Sequence, residues 1–320
     1  GKDLPLNRGR YNFDEVRFDY YKDQSVAMEA FKAGEYDFRT ENSSKRWAKD
    51  YQFPARRAKK VIVSEQSHTN PAGMQAFVYN LRRPKFQDKL LREALSYAFD
   101  FEWSNKNLFY GQYKRTRSFF QNSELAATGL PSPEELEILN LLRDHIDPRV
   151  FNQSYAPPRT SGDGRVRGNL RIAQRLLKKA GWKIENTKLL NPKTGQPLEI
   201  EFLLVSPDFE RVVLPFIQNL KRLGVLGKIR TVDPSQYQNR IRDFDFDVII
   251  FTFGQSNSPG NEQRDLWSSN AASRKGSYNI SGIRNLAVDS LVDQIISAPN
   301  RKRLVTASRA LDRVLQWSHI

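Results

Sequence analysis

The feature that most constrains this chain is an alternation in its second half. Residues 198–205 (LEIEFLLV) form an apolar run of strand length. Phe209, Val212, Val213, Phe216, Ile217, Leu220 and Leu223 then recur at helical period, and Gly224 supplies the stop. A short strand at 228–232, a short helix at 235–242 and a long buried strand at 244–253 (FDFDVIIFTF) follow. The order strand, helix, strand, helix, strand predicts α/β units on one sheet with right-handed crossovers.

The preceding residues are less regular. Residues 15–21 alternate as a strand with Val16, Phe18 and Tyr20 on one face. Asp23 or Ser25 caps a helix whose apolar side is Val26, Ala30 and Phe31, ended by Gly34. Residues 35–39, 61–63 and 75–80 read as further strands. The clearest helix follows, with Phe86, Leu90, Leu91, Ala94, Leu95, Ala98 and Phe99 on one stripe and Asp88 in its first turn. Residues 111–167 are loop-rich apart from a helix at 133–145, and 170–180 form a basic amphipathic helix ended by Gly181 and Trp182. Helices at 287–297 and from 301 onward close the chain, and no repeat of 20–50 residues is visible.

Composition removes several chemistries. With no cysteine and only His68, His145 and His319, thiolate metal sites, disulfides and cysteine nucleophiles are excluded, and a His-rich metal site is not expected. No apolar run reaches the roughly 18 residues of a membrane span. The glycine-rich segment 161–168 lacks the phosphate-loop spacing, and G-x-S-x-G is absent, so catalysis has no anchor and no cofactor is implied. Asp243, Asp245 and Asp247 alternate with Phe244 and Phe246, which puts three carboxylates on one strand face: either a hydrolytic cluster or the wet entry of a buried strand.

Lys and Arg number 51 against 36 Asp and Glu, a formal charge of +15. That balance fits nucleic acid, anionic ligands or an anionic membrane surface. Trp47, Tyr51 and Phe53 interleave with cations in the basic run 45–60, the combination that grips single-stranded nucleic acid, while the second run, 159–179, carries no such aromatics. A basic nucleic-acid-binding protein is therefore the alternative reading, against a solvated basic surface.

Residues 253–267 (FGQSNSPGNEQRDLW) directly follow the most hydrophobic strand and are dense in amide, hydroxyl and charged groups. In open α/β folds ligands sit beyond the carboxyl ends of strands. Gln255, Ser256, Asn257, Asn261, Glu262 and Arg264, with Tyr278 and Asn279, are the candidate binding residues. Glu262 suits an ammonium and Arg264 a carboxylate or phosphate, or the two pair with each other.

Phe86, Asp88, Arg92, Ala94, Leu95, Ala98 and Asp100 resemble the F-x-D-x-x-[VL]-R-x-A-L-x-x-A-x-D helix of extracellular solute-binding proteins of family 5, the oligopeptide- and dipeptide-type binding proteins of bacterial ABC importers. The AGEYD segment at 33–37, Ala180-Gly181-Trp182 and the FDFDVII run are similar to the same family. Residues 99–113, VDPSQYQNRIRDFDFD, SPGNEQRDLW and RALDRVLQW resemble its branch of microcin C and oligopeptide importer binding proteins. The resemblance implies an α/β fold of the type II periplasmic binding protein kind, a two-lobed clamp that closes on a peptide. It also implies a periplasmic, non-catalytic, monomeric protein that delivers its ligand to the permease subunits of the importer, with microcin C-like peptidyl nucleotides as a further cargo. The chain opens at Gly1 without an initiator Met and closes within an amphipathic stretch. It thus reads as a piece in which 1–75 are a partial first lobe, 76–300 the second lobe, and 301–320 a helix leading back to the first.

Overall fold

The computed structural model describes residues 4–10 and 12–320; residues 1–3 and Tyr11, part of the expected first-lobe segment, lie outside the described residues. The chain forms two compact units, Gly1–Gln66 and Ser67–Ile320. The larger unit includes residues 67–75 and the closing helix at 301–316.

The larger unit is built on a four-stranded sheet of β1 (Met74–Tyr79), β4 (Glu199–Leu204), β5 (Leu226–Thr231) and β6 (Val248–Phe253), in the order β1-β6-β4-β5. β4 pairs in parallel with β5 and β6, and β1 runs antiparallel to β6. A separate hairpin joins β2 (Lys183–Glu185) to β3 (Lys188–Leu190). The period-two alternation serves two cores. Phe77, Tyr79, Ile200, Phe202, Leu204 and Val248 face one side, where α4 (Lys89–Ser96), α7 (Arg167–Lys179) and α8 (Glu210–Lys221) supply Leu91, Leu95, Ala173, Leu177, Val213 and Phe216. Val78, Leu203, Ile249 and Phe253 face the other, against α10 (Glu262–Trp267), α11 (Leu286–Ile296) and α12 (Arg301–Gln316). Covering both faces explains why β6 is apolar from Val248 to Phe251.

The helix starts obey local chemistry. Asp88 accepts Leu90 N at 2.9 Å, and Asn285 accepts Ala287 N at 2.8 Å, each satisfying an otherwise orphan donor. The expected helix through Phe86–Phe99 is shorter: Phe86 ends a 3-10 turn, and α5 (Phe101–Asn107) starts separately on the Asp100 cap. α6 (Pro133–Asn140) ends before a 3-10 turn at 143–145. α9 (Pro234–Arg242) precedes β6 and starts on the Asp233 cap.

In the smaller unit, α1 (Gln24–Ala33) is capped by Asp23 and ends at Gly34, whose φ of 85° only glycine adopts at low cost. Its buried face is Ala27 and Met28, while Val26 is exposed, so the expected face was rotated. α2 (Ser44–Lys49) and α3 (Pro54–Arg57) bring Trp47, Tyr51 and Phe53 together with Phe31 around Met28. Tyr51 and Phe53 are buried, so these rings are core and form no stacking platform for nucleobases. The strands expected at 15–21, 35–39 and 61–63 are not formed: no described residue there joins a ladder, and Val16, Phe18 and Tyr20 are exposed. Alternation marks a strand only where a neighbouring strand is present to pair with it.

Candidate functional site

The sheet order places a reversal at β4: the chain leaves it through α8 for β5 on one side and returns through α9 to β6 on the other. Ligand crevices of open α/β sheets form outside the carboxyl ends of strands at such a point. The segment leaving the carboxyl end of β6 is the polar loop 254–261.

α10 organises that loop. Gln263 is fully buried; its Oε1 accepts the indole N–H of Trp267 at 3.0 Å, and its Nε2 donates to Gln255 Oε1 at 2.7 Å and Glu262 Oε1 at 3.2 Å. Glu262 also accepts Gly260 N at 2.8 Å. Gln255 Nε2 is buried and has no partner among the described residues. Ser256 is exposed and accepts Ser258 N, and Asn257 donates to Asn70 Oδ1 at 3.3 Å. Asn261 precedes α10 with an exposed side chain that caps nothing. Arg264 pairs with Asp293 of α11 at 2.9 Å, so the alternative of a Glu262–Arg264 pair is not realised.

Tyr278 and Asn279 part company. Tyr278 exposes its ring, and its backbone N–H donates to Asp265. Asn279 is fully buried and spends its whole amide within the fold. It donates to the carbonyls of Ser268 and Ile283 and accepts the N–H groups of Gly282 and Ile283. As a ligand contact Asn279 is thus corrected: every hydrogen-bonding position is used, so it positions the loop. Arg82 completes this brace, donating to the carbonyls of Ala272, Asn279 and Ile280 with its guanidinium 3.5 Å from the centre of the Phe244 ring. Gly282, at φ 75°, lies against Arg82 so closely that a Cβ would meet its Nη1 at 2.6 Å.

The three-carboxylate face is also corrected. β6 starts only at Val248, and Phe244 has a φ of 55°, which breaks the alternation. Each acid is paired with a cation: Asp243 with Lys275, Asp245 with Arg83 and Arg240, and Asp247 with Lys85 and, more distantly, Arg83. Lys275 holds the Asp243 carboxyl below the usual range. Among the described residues no group of three or more His, Asp or Glu is placed to hold a metal ion, and no helix is long and apolar enough to cross a membrane.

Sequence reasoning missed the neighbours of Asn257. An open depression of about 640 Å³ is lined by Thr69, Gln121, Asn122, Ser123, Glu124, Ala126, Thr128, Asn257 and Arg301. Arg301 pairs with Glu124 at 2.6 Å and also donates to Asn257 O, while Asn122 donates to the carbonyls of His68 and Asn70. Three loops from distant parts of the sequence thus converge on one polar wall, and no local signal marks that convergence.

A mixed sheet covered on both faces, with a polar loop at its switch point, is the architecture of periplasmic binding proteins of the type II kind. The oligopeptide-binding protein AppA of Bacillus subtilis, solved with a nonapeptide, shares it with a TM-score of 0.66 at 18% identity, covering 92% of this chain and 51% of that one. The chain belongs to the bacterial extracellular solute-binding proteins, family 5 (Middle), whose model matches residues 6–275. It is 50% identical over 317 residues to the probable peptide-binding protein YejA of Agrobacterium fabrum, covering 98% of this chain and 52% of that protein. It is 43% identical to YejA of Escherichia coli, covering 99% of this chain and 52% of that protein. The chain therefore spans about half the length of the curated relatives it matches.

Proposed function

We propose that this chain is part of the peptide-binding component of a bacterial ABC importer, acting outside the cytoplasmic membrane and handing oligopeptides to the permease. Residues 1–66 contribute to its first lobe and 67–320 form its second. The observation that carries the reading is the loop at the carboxyl end of β6, where Gln255, Ser256, Asn257, Asn261 and Glu262 present amide, hydroxyl and carboxylate groups at the switch point of the sheet. Such groups hold an extended peptide through its backbone, which gives affinity with little side-chain choice. The names of the YejA relative and of AppA support the same cargo.

The protein binds without turning its ligand over, as a monomer and with no cofactor. Nucleic acid is disfavoured because Tyr51 and Phe53 are buried. A microcin C-like peptidyl nucleotide is the second cargo, favoured by the +15 charge, which suits a phosphate. Native mass spectrometry of the protein is expected to show co-purified peptides, and calorimetry on the stripped protein to return micromolar or tighter binding. A protein that carries no peptide and gives no heat with a mixed peptide library would overturn the reading.

A further inference from the structure

α7 presents two faces of opposite character. Leu170, Ala173 and Leu177 are buried against the core, while Arg167, Arg171, Arg175, Lys178 and Lys179 are all exposed. At 100° per residue, Arg167, Arg171, Arg175 and Lys178 fall within about 80° of one another, in a row on the order of 16 Å long. No acidic residue lies in the helix, and among the described residues none of the five cations has an ion-pair partner. Five positive charges are thus gathered on one helix in a form that ion pairing does not spend. Arg83, Lys85, Arg149 and Arg240, by contrast, each sit on a carboxylate.

We infer that the outer face of α7 is a docking surface for an anionic phospholipid bilayer. The choice of occupant rests on what the face lacks. A specific protein interface is anchored by aromatic or aliphatic side chains that become buried at its centre. The exposed face of α7 offers only Arg, Lys, Gln and Gly, so nothing there supplies such a core. Single-stranded nucleic acid is gripped by aromatic rings set among cations, and no ring is exposed on this helix. A straight row of exposed, unpaired cations does match a layer of anionic headgroups, where each basic side chain adds affinity without burial. The chain beyond the helix extends the same character, with exposed Lys183 and Lys188 on the β2–β3 hairpin and Ile184 47% exposed between them. The surface is distinct from the loop 254–261, and the inference does not depend on what that loop binds.

Sedimentation of the full chain with vesicles tests it. Vesicles containing about one-third phosphatidylglycerol are expected to pull the chain down at low salt, with the bound fraction collapsing at several hundred millimolar salt; pure phosphatidylcholine vesicles are expected to leave it in solution. The variant R171Q/R175Q/K178Q keeps good helix formers and is expected to weaken binding on the order of a hundredfold. The control K45Q/K59Q/K60Q removes the same charge from exposed sites in the smaller unit and is expected to leave binding within a few-fold. Both variants are first checked for wild-type circular dichroism and unfolding midpoint. Equal losses in the two variants, or full binding by the α7 variant, would overturn the inference. Tighter and equally α7-dependent binding to a duplex oligonucleotide would overturn it in favour of nucleic acid.

Discussion

Trp267 donates its indole N–H to Gln263 Oε1 at 3.0 Å, and because an indole nitrogen only donates, this contact fixes which end of the Gln263 amide is which. Gln263 Nε2 must then face Gln255 Oε1, at 2.7 Å, and the Gln255 Nε2 group is left buried without a partner among the described residues. A buried tryptophan thus orients a loop amide two residues beyond β6.

Replacing Gln263 by Leu strands the Trp267 N–H and frees the Gln255 amide to rotate. We expect a loss of about 1–3 kcal/mol in urea unfolding, the usual effect of an unpaired buried donor. Weaker peptide binding should accompany it. Unchanged stability would show that the amide pair does not order the loop.

Alanine at Gln255 and Asn257 together should weaken peptide binding at least tenfold, about 1.4 kcal/mol, with little change in the unfolding midpoint. Alanine at Asn279 should do the reverse and lower stability by about 2 kcal/mol or more, because four backbone groups lose their partner. Calorimetry and thermal unfolding on the three proteins separate the two roles. Alanine at Arg264 disrupts an exposed pair with Asp293, so stability should move by about 1 kcal/mol or less.

Two buried groups near the end of the chain should give opposite pH dependences. Burial pushes the Asp312 carboxyl up to about 6, although it accepts the N–H groups of Phe119 and Ala127. Burial pushes His319 down to about 4. Between pH 4 and 6 the folded state holds a proton on Asp312 that the unfolded state has released, so this group's contribution falls as pH rises. Over the same window the unfolded state holds a proton on His319 that the folded state excludes, so its contribution rises with pH. The slopes nearly cancel in the parent. Urea unfolding of the Asp312→Asn variant should gain about 2 kcal/mol between pH 4.5 and 6, and His319→Asn should lose about as much. Parallel profiles in the two variants would contradict this assignment.

Arg313 and Glu135 are both buried and paired, and Arg313 also donates to the carbonyls of Thr128, Gly129 and Leu130. Arg313→Ala should cost about 3–5 kcal/mol by leaving Glu135 charged and alone. The double variant Arg313→Met with Glu135→Leu should recover much of that loss in chemical unfolding. A single variant as stable as the parent would show that the pair is dispensable.

The core was largely legible from local pattern. The stripes of α7, α8, α11 and α12 and the strands β1, β4, β5 and β6 all fall within a few residues of their periodicities, because each is long, strongly patterned and bounded by a cap, Gly or Pro. The polar loop 254–261 was legible for the same reason, as a polar segment after a strongly apolar strand. Reading failed where a partner distant in sequence decides the outcome. Val16, Phe18 and Tyr20 alternate but have no ladder, and Asp243, Asp245 and Asp247 alternate but are separated by the backbone turn at Phe244.

By itself, then, the sequence determined that a two-faced α/β sheet forms and that a polar loop leaves its most hydrophobic strand, since period and capping are properties of neighbouring residues. Only the tertiary structure decided that Asn279 is brace and that Gln255 keeps an unpartnered Nε2, that Thr69, Asn122 and Arg301 meet beside Asn257, and that the cations of α7 stay unpaired. Those outcomes depend on which donors, acceptors and charges folding brings within hydrogen-bond reach, and spacing along the chain carries no record of that.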